Sequence, residues 1–212
     1  MSSPSPQVQV DAVIFDFGKV LVQYDWTKPL AEASRRMGVP PDGIKRKLFA
    51  QDLFFEFERG RLTPREFHAN FERALGGQLA FDEFCELWNA IFTGAIEPTV
   101  ELALKLRAER SVQVAVLSNT NELHAAVMRN RFGWFTGWDH VYFSHEIGQR
   151  KPDAAAFEHV LSRLNVPASR AAFVDDMPAN VDAAKRLGMH AILADSPEAV
   201  ASGLANLGVK VY

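Results

Sequence analysis

An α/β fold, a doubly wound parallel sheet with an inserted α-helical cap, is predicted by three observations. Four short apolar runs each end in polar residues: VQVDAVIFDFG at 8–18, VQVAVLSN at 112–119, AAFVDD at 171–176 and HAILAD at 190–195. Amphipathic stretches lie between them, and strand alternating with helix means a parallel sheet covered on both faces. Residues 26–95 break the alternation, with helical patterns and no convincing strand. The core is therefore expected over 8–25 and 96–212, and the cap over 26–95.

In chain order, residues 1–7 are polar and Pro-containing and read as a frayed terminus. The run at 8–18 is apolar and β-branched and stops at Asp16-Phe17-Gly18, as a buried strand entering a turn does. The insert is broken at Pro40-Pro41, Arg59-Gly60-Arg61 and Gly76-Gly77, which divides it into several helices. Its phenylalanines, Phe49, Phe54, Phe55, Phe57, Phe67 and Phe71, are expected to form the cap core. Helices follow at 97–110, 121–131, 153–164 and 180–188, the last with Asn180 as N-cap and Gly188 as its stop. The insert leaves just after the first strand and returns before the helix at 97, so it should lie as a lid over that strand's polar end.

Composition excludes several functions. With 212 residues, 48% hydrophobic and 23% charged, the chain has enough apolar material for an ordinary core, and disorder is ruled out as its main state. No apolar run reaches the length of a membrane span, and the N-terminal segment lacks the pattern of a signal peptide, so a cytoplasmic protein is expected. The single Cys85 excludes an internal disulfide and a thiolate metal cluster. A net charge of −3 gives no reason to bind nucleic acid or anionic lipid, and the basic run Lys45-Arg46-Lys47 sits in an insert with ten basic and ten acidic side chains. No obligate protein partner is evident. His145-Glu146 begins like a zinc-protease helix, but Gln149 stands where the second His is needed. There is no G-x-G-x-x-G, Walker loop or G-x-S-x-G.

The chemistry should lie at the strand ends, since ligands of open α/β sheets bind beyond the carboxyl ends of the strands. Those ends supply Asp16, then Ser118 and Asn119, then Asp175 and Asp176, while the loop after 144 adds Lys151. Carboxylates and water suit a hard cation such as Mg²⁺, and hydroxyl, ammonium and backbone N–H groups suit phosphoryl oxygens. A small phosphorylated partner is the resulting expectation.

IFDFGKVL, VLSNTN, GQRKPD and FVDDMPANVDAA, in that order, resemble the four motifs of the haloacid dehalogenase superfamily, with its Rossmann-like core and the insert in the place of its first type of cap. The likeness covers nearly the whole chain. Asp-x-Gly, SNTNxLH and RKP further resemble the branch of small sugar-phosphate phosphatases that includes α-D-glucose-1-phosphate phosphatase. The resemblance implies a Mg²⁺-dependent phosphomonoester hydrolase with Asp16 as nucleophile and a sugar phosphate as the expected substrate. Ser118, Asn119 and Lys151 would hold the phosphoryl group, and Asp16, the Gly18 carbonyl, Asp175 and Asp176 the metal, with Asp176 favoured as the direct ligand. Asn180 would be either a helix cap or a support for the metal site. One position departs from the pattern: Gly18 stands where relatives carry a second Asp as general acid. Asp25 is a candidate substitute, Lys19 would add charge beside the phosphate or point outward, and Arg59 in the turn Glu58-Arg59-Gly60 would read the substrate from the cap. A 2-haloacid dehalogenase and a catalytically weakened phosphate-binding module are the alternatives.

Overall fold

The fold is seen in a computed structural model whose described residues are 9–50 and 52–211. The terminus expected to fray over 1–7 lies outside them, as do Val8, Gln51 and Tyr212. β1 (Ala12–Phe15) is followed by β2 (Val22–Tyr24) and then five helices, α1 (Thr27–Met37), α2 (Pro41–Ala50), α3 (Leu53–Glu58), α4 (Pro64–Leu75) and α5 (Phe81–Asn89). β3 (Phe92–Ala95), α6 (Glu97–Glu109), β4 (Gln113–Ser118), α7 (Glu122–Arg131), β5 (Val141–Phe143) and α8 (Ser144–Ile147) come next. The chain closes with α9 (Ala154–Leu164), β6 (Ala171–Asp175), α10 (Pro178–Arg186), β7 (His190–Leu193) and α11 (Pro197–Asn206).

Five parallel strands form one sheet in the order β5-β4-β1-β6-β7, so β1 sits at the centre, where the strand order reverses. All four residues of β1 are buried because both faces are covered, which is why its sequence is a continuous apolar run rather than an alternation. Val13 and Phe15 face α6 and α11 through Val100, Ala103, Leu106, Val200 and Leu204. Ala12 and Ile14 face α9 and α10 through Phe157, Val160, Leu164 and Ala184. Phe15 pairs with both Val116 of β4 and Val174 of β6, so the next residues of all three strands emerge side by side.

The cap has its own core, from Leu30 and Met37 through Ile44 to Phe57, Phe67, Phe71, Phe84 and Trp88. Phe57 and Phe67 stack with centroids 4.2 Å apart. α4 starts where Thr63 accepts from the Glu66 N–H while the Glu66 carboxylate accepts from the Thr63 N–H, with Pro64 at the first helical position. The three expected breaks all fall between helices, and a fourth, between α2 and α3, has no Gly or Pro to announce it.

Three expectations are corrected here. Residues 26–95 do contain a strand: β3 pairs antiparallel with β2, Val22 beside Ala95 and Gln23 beside Gly94, making a two-stranded ribbon that joins core to cap. Strands of three and four residues, one with a Gly, carry no readable period. Only Phe57, Phe67 and Phe71 of the expected cap aromatics are buried; Phe54 and Phe55 are half-buried and Phe49 is exposed. Asn180 is not an N-cap, since α10 begins at Pro178 after Met177.

Candidate active site

The register of the central strands brings Asp16, Ser118 and Asp175 to the same end of the sheet. Lys151 reaches that point from the loop between α8 and α9. Its ammonium, fully buried, lies 2.8 Å from Asp16 Oδ1 and donates to Asp175 Oδ2 at 2.6 Å. Asn119 holds this loop with both ends of its amide: Oδ1 accepts from the Lys151 N–H at 2.8 Å and Nδ2 donates to the Lys151 carbonyl at 2.8 Å. The peptide bond from Lys151 to Pro152 is cis. Ser144 Oγ joins the neighbouring segment in the same way, accepting from the Thr120 N–H and donating to its carbonyl. The Asn119 side chain is thus occupied in positioning Lys151, which leaves the Ser118 hydroxyl and the local backbone to face a ligand.

Asp175 accepts four hydrogen bonds. Met177 N–H and Asn180 Nδ2 donate to Oδ1 at 2.8 and 3.0 Å, and Lys151 and Asn180 donate to Oδ2 at 2.6 and 3.1 Å. Asn180 in the first turn of α10 is therefore a support for Asp175. Asp176 is only half-buried, and its carboxylate lies beside the other two: Asp16, Asp175 and Asp176 each place an oxygen within 4.8 Å of the others. Burial pushes the Asp16 carboxyl up to about 7, against the pull of Lys151 and with the Asp175 charge adding to the rise. Burial and then the Asp175 charge raise Asp176 as well. Burial disfavours the Lys151 ammonium, but Asp16 and Asp175 together outweigh it and raise its pKa. Three carboxylates against one ammonium leave the cluster short of positive charge, and oxygen donors at this spacing fit a hard divalent cation.

These groups form the floor of a cleft of about 370 Å³, lined at that end by Asp16, Gly18, Ser118, Asn119, Lys151 and Asp176. Several expected residues lie elsewhere. Asp25 is exposed and accepts from the Thr27 N–H and hydroxyl, 2.8 and 2.6 Å away, so it caps the start of α1 instead of facing the cleft. The Lys19 ammonium donates to the Tyr24 carbonyl at 2.6 Å and to Gln23, which holds it along β2. Arg59 points away from the cleft to Asp153 at the start of α9, 3.2 Å away, with Glu56 on its other side. The cap turn does reach the site, but through Glu58, which is buried and accepts from Arg150 Nε and Nη2 at 3.1 and 2.9 Å. Gly60 lets the turn sit directly on the core: its φ is +69°, and a Cβ there would overlap the His145 carbonyl.

Tyr24, Glu58, Arg150, Thr120 and His124 are lining residues that sequence reasoning missed or left aside. A Cβ on Gly18 would come 2.7 Å from Tyr24 Cε1, so the phenol ring fills the space that a larger residue at position 18 would need. His124 is buried between core and cap, its Nε2 3.0 Å from the Trp88 carbonyl and its Nδ1 3.1 Å from Asn121 Nδ2. The carbonyl can only accept, so Nε2 carries the proton and Nδ1 accepts. A second proton would face the Asn121 N–H₂, and burial lowers the His124 pKa to about 4. Between that value and the ordinary ~6.5, His124 is protonated in the unfolded chain and not in the folded one, so its own contribution to stability falls as pH falls through this window, by about 3 kcal/mol. The raised carboxyls of Asp16, Asp176 and Glu58 act in the opposite direction, so the His124 contribution is read as the stability difference between the native chain and His124→Gln, which should shrink as pH falls through that window in urea unfolding; a difference independent of pH would contradict this placement of the proton.

A family model described as a haloacid dehalogenase-like hydrolase matches residues 10–188. A D-ribitol-5-phosphate phosphatase from Bacteroides thetaiotaomicron is 28% identical over 83% of this chain and 87% of its own length. A phosphatase from Mycobacterium tuberculosis is 29% identical over 95% of this chain and 96% of its own. A sesquiterpene phosphatase from Aspergillus oryzae is 28% identical over 84% and 86%. With a drimenol cyclase from Aspergillus calidoustus the identity is 29% over 93% of this chain, which spans only 36% of that longer protein. Among solved structures, a HAD family enzyme from Bacteroides thetaiotaomicron in complex with magnesium and inorganic phosphate superposes with a TM-score of 0.76 at 24% identity, covering 87% of this chain and 93% of that one. A predicted HAD-like family hydrolase from Porphyromonas gingivalis gives 0.79 at 24% identity, covering 95% and 99%.

Proposed function

We propose, from the premise that the chain belongs to the haloacid dehalogenase-like hydrolases, that it is a Mg²⁺-dependent phosphomonoester hydrolase working through an aspartyl-phosphate on Asp16. The observation that carries this reading is the buried Lys151 ammonium between Asp16 and Asp175, with the Asp176 carboxylate beside them. Phosphatase relatives of similar length support hydrolysis of a phosphate ester. In the reaction, an Asp16 carboxylate oxygen attacks phosphorus and the ester P–O bond breaks, its electron pair leaving with the alcohol oxygen. Water then attacks the phosphorus of the aspartyl-phosphate, the bond to Asp16 breaks, and phosphate leaves with the carboxylate restored. Lys151 holds Asp16 in place and offsets charge on the phosphoryl oxygens, and the Ser118 hydroxyl is positioned to donate to one of them.

Asp16, Asp176 and the Gly18 carbonyl would hold Mg²⁺, with Asp175 behind them because its oxygens are already occupied. When bound, the cation supplies the positive charge that the three carboxylates lack and that the phosphoryl group needs. Asp176→Ala is expected to raise the Mg²⁺ concentration for half-maximal turnover by about tenfold or more while leaving thermal stability near that of the native chain. Asp175→Ala should instead lower the melting temperature, because it strands Lys151 and Asn180. The reverse ranking would exchange the two roles.

Gly18 offers no proton to the leaving oxygen, and Asp25 is occupied at α1. Glu58 is the acid that the cap presents to the same cleft, and burial pushes its carboxyl up against the pull of Arg150. We assign it the leaving-group proton. Glu58→Gln should then slow an alkyl phosphate by about 10² or more, and a nitrophenyl ester, whose leaving group needs no proton, much less. Equal losses would remove Glu58 from this role. The dehalogenase reading is disfavoured by the acidic trio, which an attack on carbon does not require. The relatives' names span a polyol phosphate and a sesquiterpene at equal identity, so a sugar phosphate is one leaving group among those the reading admits. A Mg²⁺-dependence assay with nitrophenyl phosphate tests the whole reading; absence of phosphate release would end it.

A further inference from the structure

We propose that the ester cleaved here carries an apolar, hydrocarbon body and not a polyol, an inference that rests on the phosphomonoesterase reading and names its substrate class. Beside its polar groups the cleft is lined by an apolar set, Trp26, Phe49, Phe54, Phe92, Met128 and Met177. Phe49 and Met177, 47% and 52% exposed, are the two exposed large hydrophobic side chains among the described residues. One comes from the cap and one from the core, and both border this cleft. Exposed apolar surface gathered at one concave place marks a ligand contact, whereas scattered single residues do not.

The cleft also continues into the cap. An adjoining space of about 90 Å³ shares Trp26, Phe49 and Phe54 and is closed by Leu30, Leu48 and Trp88, with Lys45 its one charged member. Phe54 packs edge-on against Trp26 and against Phe49, so this wall is one aromatic surface. Two polar side chains next to this wall are already engaged. His124 bonds the Trp88 carbonyl and Asn121, and Glu58 is paired with Arg150, whose guanidinium lies 4.3 Å over the Phe55 ring. Sugar hydroxyls set against the aromatic wall would find no partner in it, at a cost for each, while a hydrocarbon removes its own and the wall's apolar surface from water.

The test pairs two esters of primary alcohols, 2-phenylethyl phosphate and glycerol 3-phosphate, so that leaving-group basicity is similar. With Mg²⁺ saturating, kcat/KM should favour the phenylethyl ester by about tenfold or more, and Phe49→Ala and Phe54→Ala should each lower that ratio by about tenfold. Phe49 is exposed, so its replacement leaves the cap core untouched, and circular dichroism checks both variants. Calorimetry with 2-naphthylmethylphosphonate against methylphosphonate gives a readout without turnover, expected to favour the naphthyl compound by about tenfold and to lose that preference in Phe49→Ala. A ratio at or below one, or equal binding of the two phosphonates, overturns the apolar substrate class even if hydrolysis is brisk. Tight, Phe49-dependent phosphonate binding without hydrolysis of any ester would uphold the ligand class and overturn the phosphatase reading instead.

Discussion

Replacing Asp16 by Asn is expected to lower phosphate-ester turnover by about 10⁴-fold or more, roughly 5.5 kcal/mol of barrier, with little change in fold. The amide keeps the shape of the carboxylate, and its oxygen can still accept from Lys151 at the 2.8 Å now seen. It cannot act as the nucleophile, because an amide oxygen carries no full charge and gives no stable phosphoryl adduct. Stability should hold, since the change removes a buried charge that burial already pushes toward its neutral form. Steady-state assays with nitrophenyl phosphate, alongside thermal unfolding, separate the two effects. Activity within tenfold of the native chain would remove Asp16 from the mechanism.

Replacing Lys151 by Met is expected to damage both fold and function. The ammonium is buried between two carboxylates, and removing one partner of a buried pair typically costs about 3–5 kcal/mol because the other charge remains unpaired. For a chain of this size that is a fall in melting temperature of roughly 6–20 °C. The deficit should shrink at lower pH, where protonated carboxyls need no counter-charge, and in the double variant with Asp16→Asn, which removes one stranded carboxylate. A Lys151→Met protein as stable as the native chain would mean that the pair does not carry the strand ends.

The parts of this protein legible in its sequence are those with strong local signals. β1, β4, β6 and β7 were readable because each is an apolar run that stops at a polar residue; for β1, β4 and β6 both faces are covered, while β7 keeps its apolar run at the half-buried edge of the sheet. β2, β3 and β5 are three or four residues long and gave no such pattern. At the site, Asp16, Ser118, Asn119, Asp175 and Asp176 come together because strand register brings them there, and Lys151 joins them because the Asn119 amide holds its loop. The cap side was not readable: whether Glu58 or Arg59 enters the cleft depends on how one turn, with Gly60 at φ +69°, rests on the His145 carbonyl. Nor could sequence distinguish Phe57, stacked in the cap core, from Phe49, which borders the cleft, since both are simply aromatic positions on helices.

The most direct test of the central claim is to look for the phosphoryl group on Asp16. The native chain would be mixed with radiolabelled acetyl phosphate and Mg²⁺, quenched in acid within milliseconds, digested and mapped by mass spectrometry. The account predicts a hydroxylamine-labile label that appears before phosphate release, resides in the peptide containing Asp16 and is absent from Asp16→Asn. Phosphate release with no covalent label at any time, or a label on another residue, would contradict it.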